Sequence, residues 1–210
     1  LMRSSAASDV YKRQKLNNEV EMPMLGIGTF MLSPDEAEKS ITIALENGYR
    51  LIDTANAYVN EKAVGRAIKK SNVDRQDIFL ETKLWPSFYE DDDAIDKTLK
   101  RLDTDYIDLM ILHQPAGNYI SGYKKLEKAY KEGKLKAIGI SNFNEKEIEE
   151  ILKICEVRPA LIQLETHPYY SRKILNKYLR ENEIVLQSWY PLGCLLYTSD
   201  AADDRISADL

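Results

Sequence analysis

The chain has 210 residues, 44% of them hydrophobic and 30% charged, and these proportions are typical of a globular protein with a sizeable core. A net charge of −5 without a basic run argues against nucleic acid as a partner, and no stretch reaches the roughly 20 apolar residues that would span a membrane. Of the two cysteines only Cys155 lies outside the terminal segments, so we expect no disulfide framework and a reducing, cytoplasmic location.

The two ends of the chain look like translated adapter DNA. Residues 4–14 can be encoded by a string whose reverse complement, read one base in, encodes residues 194–203. This string resembles the transposase adapter of sequencing libraries, and the alternative of two disordered polar tails leaves the complementarity unexplained. We therefore expect residues 1–14 and 194–210 to be non-native tails, which flank a partial protein over residues 15–193.

The first elements after the N-terminal tail are short, and turn and capping residues mark their ends. Residues 15–23 predict a small β-hairpin that turns near its two asparagines, and residues 25–29 predict a first parallel strand. Residues 33–36 carry an N-cap serine, a proline at the first helical position and a capping-box glutamate, which together predict the start of a helix. The Asn47-Gly48 pair is a natural end for that helix.

The rest of the chain alternates apolar runs with amphipathic segments. Further strands are predicted to end at Asp53, Lys83, His113, Ser141, Glu165 and Trp189, with helices over about 61–70, 93–102, 123–132, 145–155 and 172–180. Near-continuously apolar strands separated by single helices are typical of a parallel sheet buried on both faces. The pattern predicts an α/β protein, a (β/α)8 TIM barrel with about seven of its eight units and an N-terminal β-hairpin.

Four polar residues lie at or just past the carboxyl ends of different predicted strands or their loops. They are Asp53, Tyr58, Lys83 and His113. Taken singly, each has a structural explanation: Asp53 could cap the following loop, for example, and His113 could be a core histidine whose hydrogen bonds are satisfied. Because the carboxyl ends of barrel strands converge on one face, the four together predict a site that donates protons.

The chemistry of these four side chains fits the reduction of a carbonyl group. A free phenol has a pKa near 10, and a neighbouring ammonium such as Lys83 lowers that pKa. A carboxylate, Asp53, holds the lysine in place and offsets its desolvation. The imidazole of His113 can orient a carbonyl oxygen toward the phenol of Tyr58, which we expect to be the proton donor.

In these motifs the chain resembles the aldo-keto reductase family. The matching segments, in order, are residues 48–58, 60–61, 81–85, 108–113, 139–143 and 163–168. The resemblance implies that NADPH donates the hydride and that Asp53, Tyr58, Lys83 and His113 form the catalytic tetrad. The bacterial branch that resembles 2,5-diketo-gluconate reductase, which includes reductases of glyoxal-type aldehydes, is the nearest by motif.

The resemblance also implies the contacts to the cofactor. Ser141, Asn142 and Gln163 would hydrogen-bond the nicotinamide carboxamide. Trp189 would lie under the nicotinamide ring, where the family more often has tyrosine, and Tyr190 is the alternative. The family's clamp for the adenosine phosphate follows the last strand, and the expected partial protein over residues 15–193 ends before that segment, so the choice between NADP and NAD is left open.

The substrate is expected to be a small carbonyl compound bound at the mouth of the barrel. Phe30 and Trp85, with His113, are expected to line its site, and Tyr119 is a further candidate for this apolar rim. No metal ligand set is predicted. A complete protein of this kind is expected to act as a monomer.

Three other interpretations of the sequence compete with a catalytic reductase. The Gly26-Ile27-Gly28 run lacks the third glycine and the acidic partner of a Rossmann dinucleotide site. A non-catalytic barrel subunit that only binds the cofactor would not need all four polar residues. The third alternative is a sequencing product without activity.

Overall fold

The structure, a computed structural model, describes residues 12–192. In that range the strands are β1 Arg13–Lys15, β2 Glu21–Pro23, β3 Gly26–Gly28, β4 Leu51–Asp53, β5 Phe79–Leu84, β6 Leu109–Leu112, β7 Ile138–Ser141, β8 Leu161–Glu165 and β9 Val185–Trp189. The helices are α1 Pro34–Glu46, α2 Glu61–Lys70, α3 Ala94–Leu102, α4 Tyr119–Lys131, α5 Glu145–Ile154 and α6 Lys173–Glu181.

Strands β3 to β9 form one curled parallel sheet in which the strand order follows the sequence. Every neighbouring pair in this sheet is parallel, and one helix follows each strand from β3 to β8. The predicted fold class, an incomplete (β/α) barrel, is confirmed. Among the described residues, no helix has the length and apolar character required to cross a bilayer.

The predicted N-terminal hairpin is present. Strands β1 and β2 pair antiparallel, with Lys15 opposite Glu21. The predicted non-native tails lie mostly outside the described residues and stay a prediction. Arg13 and Gln14, which that prediction assigned to a tail, pair here with Pro23 and Met22.

The curled sheet separates two apolar layers. Successive residues of a strand point to opposite faces, so Ile52 and Leu80 pack outward in the larger cluster beneath the helices. Leu51 and Phe79 point inward and join a smaller cluster with Met22 of the hairpin. The hairpin therefore covers the amino end of the barrel interior and leaves the carboxyl ends of the strands open.

Capping side chains set the starts of the helices. The predicted capping box of α1 is confirmed, since the Ser33 side chain accepts from the Glu36 backbone N and the Glu36 side chain accepts from the Ser33 N. Helix α4 begins about one turn earlier than predicted. Asn118 caps it, with its Oδ1 accepting from the backbone N of Ser121 at 3.1 Å.

Candidate active site

Lys83 occupies the centre of the site, at the carboxyl end of β5. Its side chain is 1% exposed, and its Nζ donates to Asp53 Oδ1, to the Thr54 carbonyl oxygen at 3.2 Å and to Tyr58 Oη at 3.3 Å. An ammonium has three hydrogens, so these three acceptors satisfy it fully. Burial lowers the pKa of Lys83, but the nearby acids, Asp53 foremost, together raise it above its usual 10.5.

Asp53 is the last residue of β4 and lies beside Glu81 in the register of the sheet. One carboxylate oxygen accepts from Lys83, and the other accepts from Gln163 Nε2 at 3.0 Å. Both oxygens are thus held by neighbours on other strands, which fixes the plane of the carboxylate.

Tyr58 lies on a short 3₁₀ turn, Asn56–Tyr58, directly after β4. Its ring contacts Phe30 at a centroid distance of 5.1 Å and the edge of His113 at 5.7 Å. Burial raises the pKa of Tyr58 above its usual 10, and the opposing effect of Lys83 is smaller. The sequence-based expectation of a lowered pKa is therefore wrong in its net direction, although Lys83 acts with the predicted sign.

His113 follows β6, and its backbone N donates to the Leu84 carbonyl oxygen at 2.9 Å. Burial, followed by the charge of Lys83, lowers the pKa of His113 to about 4, so the imidazole is neutral at pH 7. A neutral imidazole still has one N–H to donate. Its Nδ1 is buried without a partner among the described residues.

The structure therefore brings the four predicted catalytic residues together at one end of the barrel. Asp53, Tyr58 and His113 line a cavity of about 790 Å³, which is within the usual range for a small-molecule site. Predicted site residues that line this cavity are Phe30, Asp53, Tyr58, His113, Ser141, Asn142, Gln163 and Trp189. Lys83 lies behind Tyr58 and Asp53, with which it forms hydrogen bonds.

The residues expected to hold the nicotinamide lie along β7, β8 and β9. The Ser141 Oγ is buried and has no partner among the described residues. Asn142, with φ of 66°, donates to the His113 carbonyl oxygen at 3.2 Å and accepts from Trp189 Nε1 at 3.1 Å. A buried hydroxyl without a partner beside a fixed indole ring suits a planar amide ligand, so the residues present fit a nicotinamide group.

The predicted apolar rim is present in part. Phe30 is 53% exposed at the cavity edge, whereas Trp85, also predicted to line the site, is not among the cavity-lining residues and packs edge-on against His113 at 4.9 Å. The expectation for Tyr119 is wrong, because its hydroxyl donates to Glu150 and its ring packs on Phe143 at 5.3 Å. Met31 also lines the cavity but was not predicted from the sequence. Its position in the loop after β3 could have indicated that it lies at the mouth of the barrel.

Sequence reasoning also missed Glu81, a buried acid inside the barrel, and its partner Gln187. Glu81 is completely buried and accepts from Gln187 Nε2 at 2.8 Å and from Gln163 Nε2 at 3.1 Å. Burial, with the charge of Asp53, raises the pKa of Glu81 to about 8. The available signal was an acidic residue in the middle of a predicted buried strand.

Comparison with known proteins agrees with this arrangement. The model of the aldo/keto reductase family matches residues 24–208. "Glyoxal reductase" of Bacillus subtilis is 44% identical over 183 residues, and "Morphine 6-dehydrogenase" of Pseudomonas putida is 41% identical over 191 residues. These matches cover 85% and 88% of this chain, but only 66% and 64% of the relatives. The chain thus spans just under two thirds of their length.

Solved structures show the same likeness. An aldo/keto reductase from Brucella melitensis superposes with a TM-score of 0.85 at 40% identity, over 88% of this chain and 73% of that one. MGS-M4, an aldo-keto reductase enzyme from a deep-sea metagenome library, gives a TM-score of 0.84 at 44% identity, over 86% and 68%. The chain belongs to the aldo/keto reductase family of oxidoreductases.

Proposed function

We propose that this protein reduces small aldehydes and ketones to alcohols with NADPH, and that Tyr58 donates the proton. One observation carries the proposal: a buried ammonium, Lys83, is hydrogen-bonded to both a carboxylate and the phenol of Tyr58. His113 faces the same phenol across the cavity. A barrel that only bound a cofactor would have no need of this proton-donating arrangement.

The roles of the side chains follow from their geometry and charge. When bound, the reduced nicotinamide supplies a hydride to the carbonyl carbon. The neutral His113 donates a hydrogen bond to the carbonyl oxygen and directs it toward Tyr58. Tyr58 then gives its phenolic proton to that oxygen. The ammonium of Lys83, 3.3 Å from Tyr58 Oη, stabilises the phenolate that remains, and Asp53 keeps Lys83 in position.

Cofactor binding would use the polar edge formed by β7 and β8. The unpartnered hydroxyl of Ser141 and the carboxamide oxygen of Gln163 would hydrogen-bond the nicotinamide carboxamide. Trp189, fixed by its hydrogen bond to Asn142, would pack against the nicotinamide ring. The preference for NADPH over NADH rests on the family resemblance, because the segment expected to bind the adenosine phosphate lies outside the described residues.

The substrate class follows from the small apolar mouth of the cavity. Phe30 lines the cavity and packs on Tyr58, and Trp85 packs on His113 from outside the lining. Such a rim favours short aldehydes over highly charged sugars. The printed name of the Bacillus subtilis relative, "Glyoxal reductase", supports glyoxal-type aldehydes as the first substrates to test.

The test is the consumption of NADPH, followed by absorbance, with methylglyoxal or an aromatic aldehyde as substrate. Tyr58→Phe should abolish turnover and leave the Kd for NADPH nearly unchanged, because only the donated proton is lost. Tyr106→Phe is the matched control, since Tyr106 packs on Arg75 and Lys136 away from the cavity. A Tyr58→Phe protein that kept more than a few per cent of kcat would show that another group is the acid.

A further inference from the structure

Beside Asp53 and beneath Lys83, the barrel interior holds a second polar layer formed by Glu81, Gln163 and Gln187. Glu81 is beside Asp53 in the sheet register, and Gln163 is beside Gln187. The Gln163 Nε2 lies 3.0 Å from Asp53 Oδ2, 3.1 Å from Glu81 Oε1 and 2.9 Å from Gln187 Oε1. The amide of Gln163 therefore links the buried carboxyl of Glu81 to the carboxylate that holds Lys83.

The charges in this region do not balance if every acid is ionised. Two carboxyl groups, Asp53 and Glu81, share one buried cation, Lys83. The neighbouring strand β6 contributes only Leu109 and Ile111 to the interior at this level. Because a second unpaired carboxylate in such a place is costly, one of the two acids should keep its proton, and Asp53 already has the direct contact to Lys83.

The hydrogen bonds lead to the same conclusion by an independent count. A primary amide has two N–H hydrogens, yet Gln163 Nε2 faces three acceptor oxygens. A neutral carboxyl on Glu81 needs fewer donors than a carboxylate and still offers a carbonyl oxygen to Gln163, so a proton on Glu81 eases the deficit. Burial, then the charge of Asp53, raises the pKa of Glu81 to about 8, against the opposing effects of Lys83 and Gln187.

We propose that Glu81 is a positioning residue for the reduction: its neutral carboxyl holds Gln163 against Asp53 and so keeps Lys83 beside Tyr58. Loss of that proton brings a second negative charge next to Lys83. The added charge raises the pKa of Tyr58 and makes its phenol a weaker proton donor. The inference rests on the proposed function, because it concerns the same proton transfer.

The test is the pH dependence of hydride transfer, measured in single turnovers so that product release does not mask it. The wild-type rate should fall as the pH rises through about 8, when Glu81 ionises. Glu81→Gln should keep the rate at lower pH within about threefold and lose this fall. Glu127→Gln is the control, because Glu127 is a buried carboxyl that binds the backbone N of Glu156 and Val157 away from the cavity.

A second variant keeps the inference testable if Glu81→Gln does not fold. Gln187→Leu removes the hydrogen bond that favours the charged form of Glu81, so the fall in rate should move to higher pH. An unchanged fall in either variant would overturn the positioning role.

A further measurement separates this inference from the proposed function. Infrared spectra of the wild type should show a protonated carboxyl band that disappears above about pH 8 and is missing in Glu81→Gln. The spectra do not require turnover. An inactive wild type would refute the proposed function, whereas an active wild type without this band would refute the role of Glu81 alone.

Discussion

Replacing Lys83 by methionine tests the core of the site through stability as well as activity. Methionine fills a similar volume but donates no hydrogen bond, so Asp53, Thr54 and Tyr58 each lose a donor. Turnover should cease, because the phenolate of Tyr58 loses its cation. The fold should also weaken, since the carboxylate of Asp53 stays in the barrel without its ion-pair partner.

The size of the effect follows from the burial of the pair. Removing one partner of a buried ion pair costs roughly 3–5 kcal/mol, because the other charge remains uncompensated. Asp53 keeps its hydrogen bond from Gln163 at 3.0 Å, and its side chain is 19% exposed. We therefore expect a loss of about 3 kcal/mol in the free energy of unfolding. With an m-value of about 2 kcal/mol/M, the urea midpoint should fall by about 1.5 M.

Urea unfolding of three variants, each compared with the wild type, tests this expectation. Lys83→Met combined with Asp53→Asn should recover most of the loss, because the double variant has no buried charge to leave unpaired. Lys69→Met, which breaks an exposed pair with Asp103, should leave the midpoint unchanged. No recovery in the double variant would refute the reasoning.

Two further predictions concern His113 and Asn118. Burial lowers the pKa of His113 from 6.5 to about 4, so the imidazole takes up a proton at higher pH in the unfolded chain than in the folded one. The wild type should therefore lose stability as the pH falls from 6.5 to about 4. His113→Gln should give a shallower pH dependence in chemical denaturation. Asn118→Ala removes the cap of α4 and should lower the free energy of unfolding by about 1 kcal/mol, whereas Asn118→Ser, which keeps an acceptor oxygen and adds no charge beside Glu90, should lower it less.

The positions of the catalytic side chains were predictable because they depend on local pattern and on one general property of the fold. Asp53, Lys83 and His113 each lie at or just past the end of a predicted strand, and parallel strands bring such ends to a single edge. Tyr58 could be placed only in the loop after β4. Its burial against Phe30, which reverses the expected direction of its pKa, depends on how two loops fold over each other.

The polar layer under the tetrad could not be predicted in the same way. Glu81 meets Gln163 and Gln187 only because the sheet curls, which brings β5 opposite β8 and β9. No periodicity within a single strand reports that curvature. Tyr119 was misplaced for a smaller reason, since the cap at Asn118 starts α4 early and turns this ring toward Phe143.

The side-chain amide of Asn142 connects the catalytic histidine to the residue expected to lie under the nicotinamide. Its Nδ2 donates to the His113 carbonyl oxygen, and its Oδ1 accepts from Trp189 Nε1. A tyrosine at position 189, the commoner residue in the family, has no ring N–H and would leave the Asn142 oxygen without this donor. Trp189 therefore adds a hydrogen bond to the cofactor face that the commoner tyrosine could not make, and engineering of this face should vary residues 142 and 189 together.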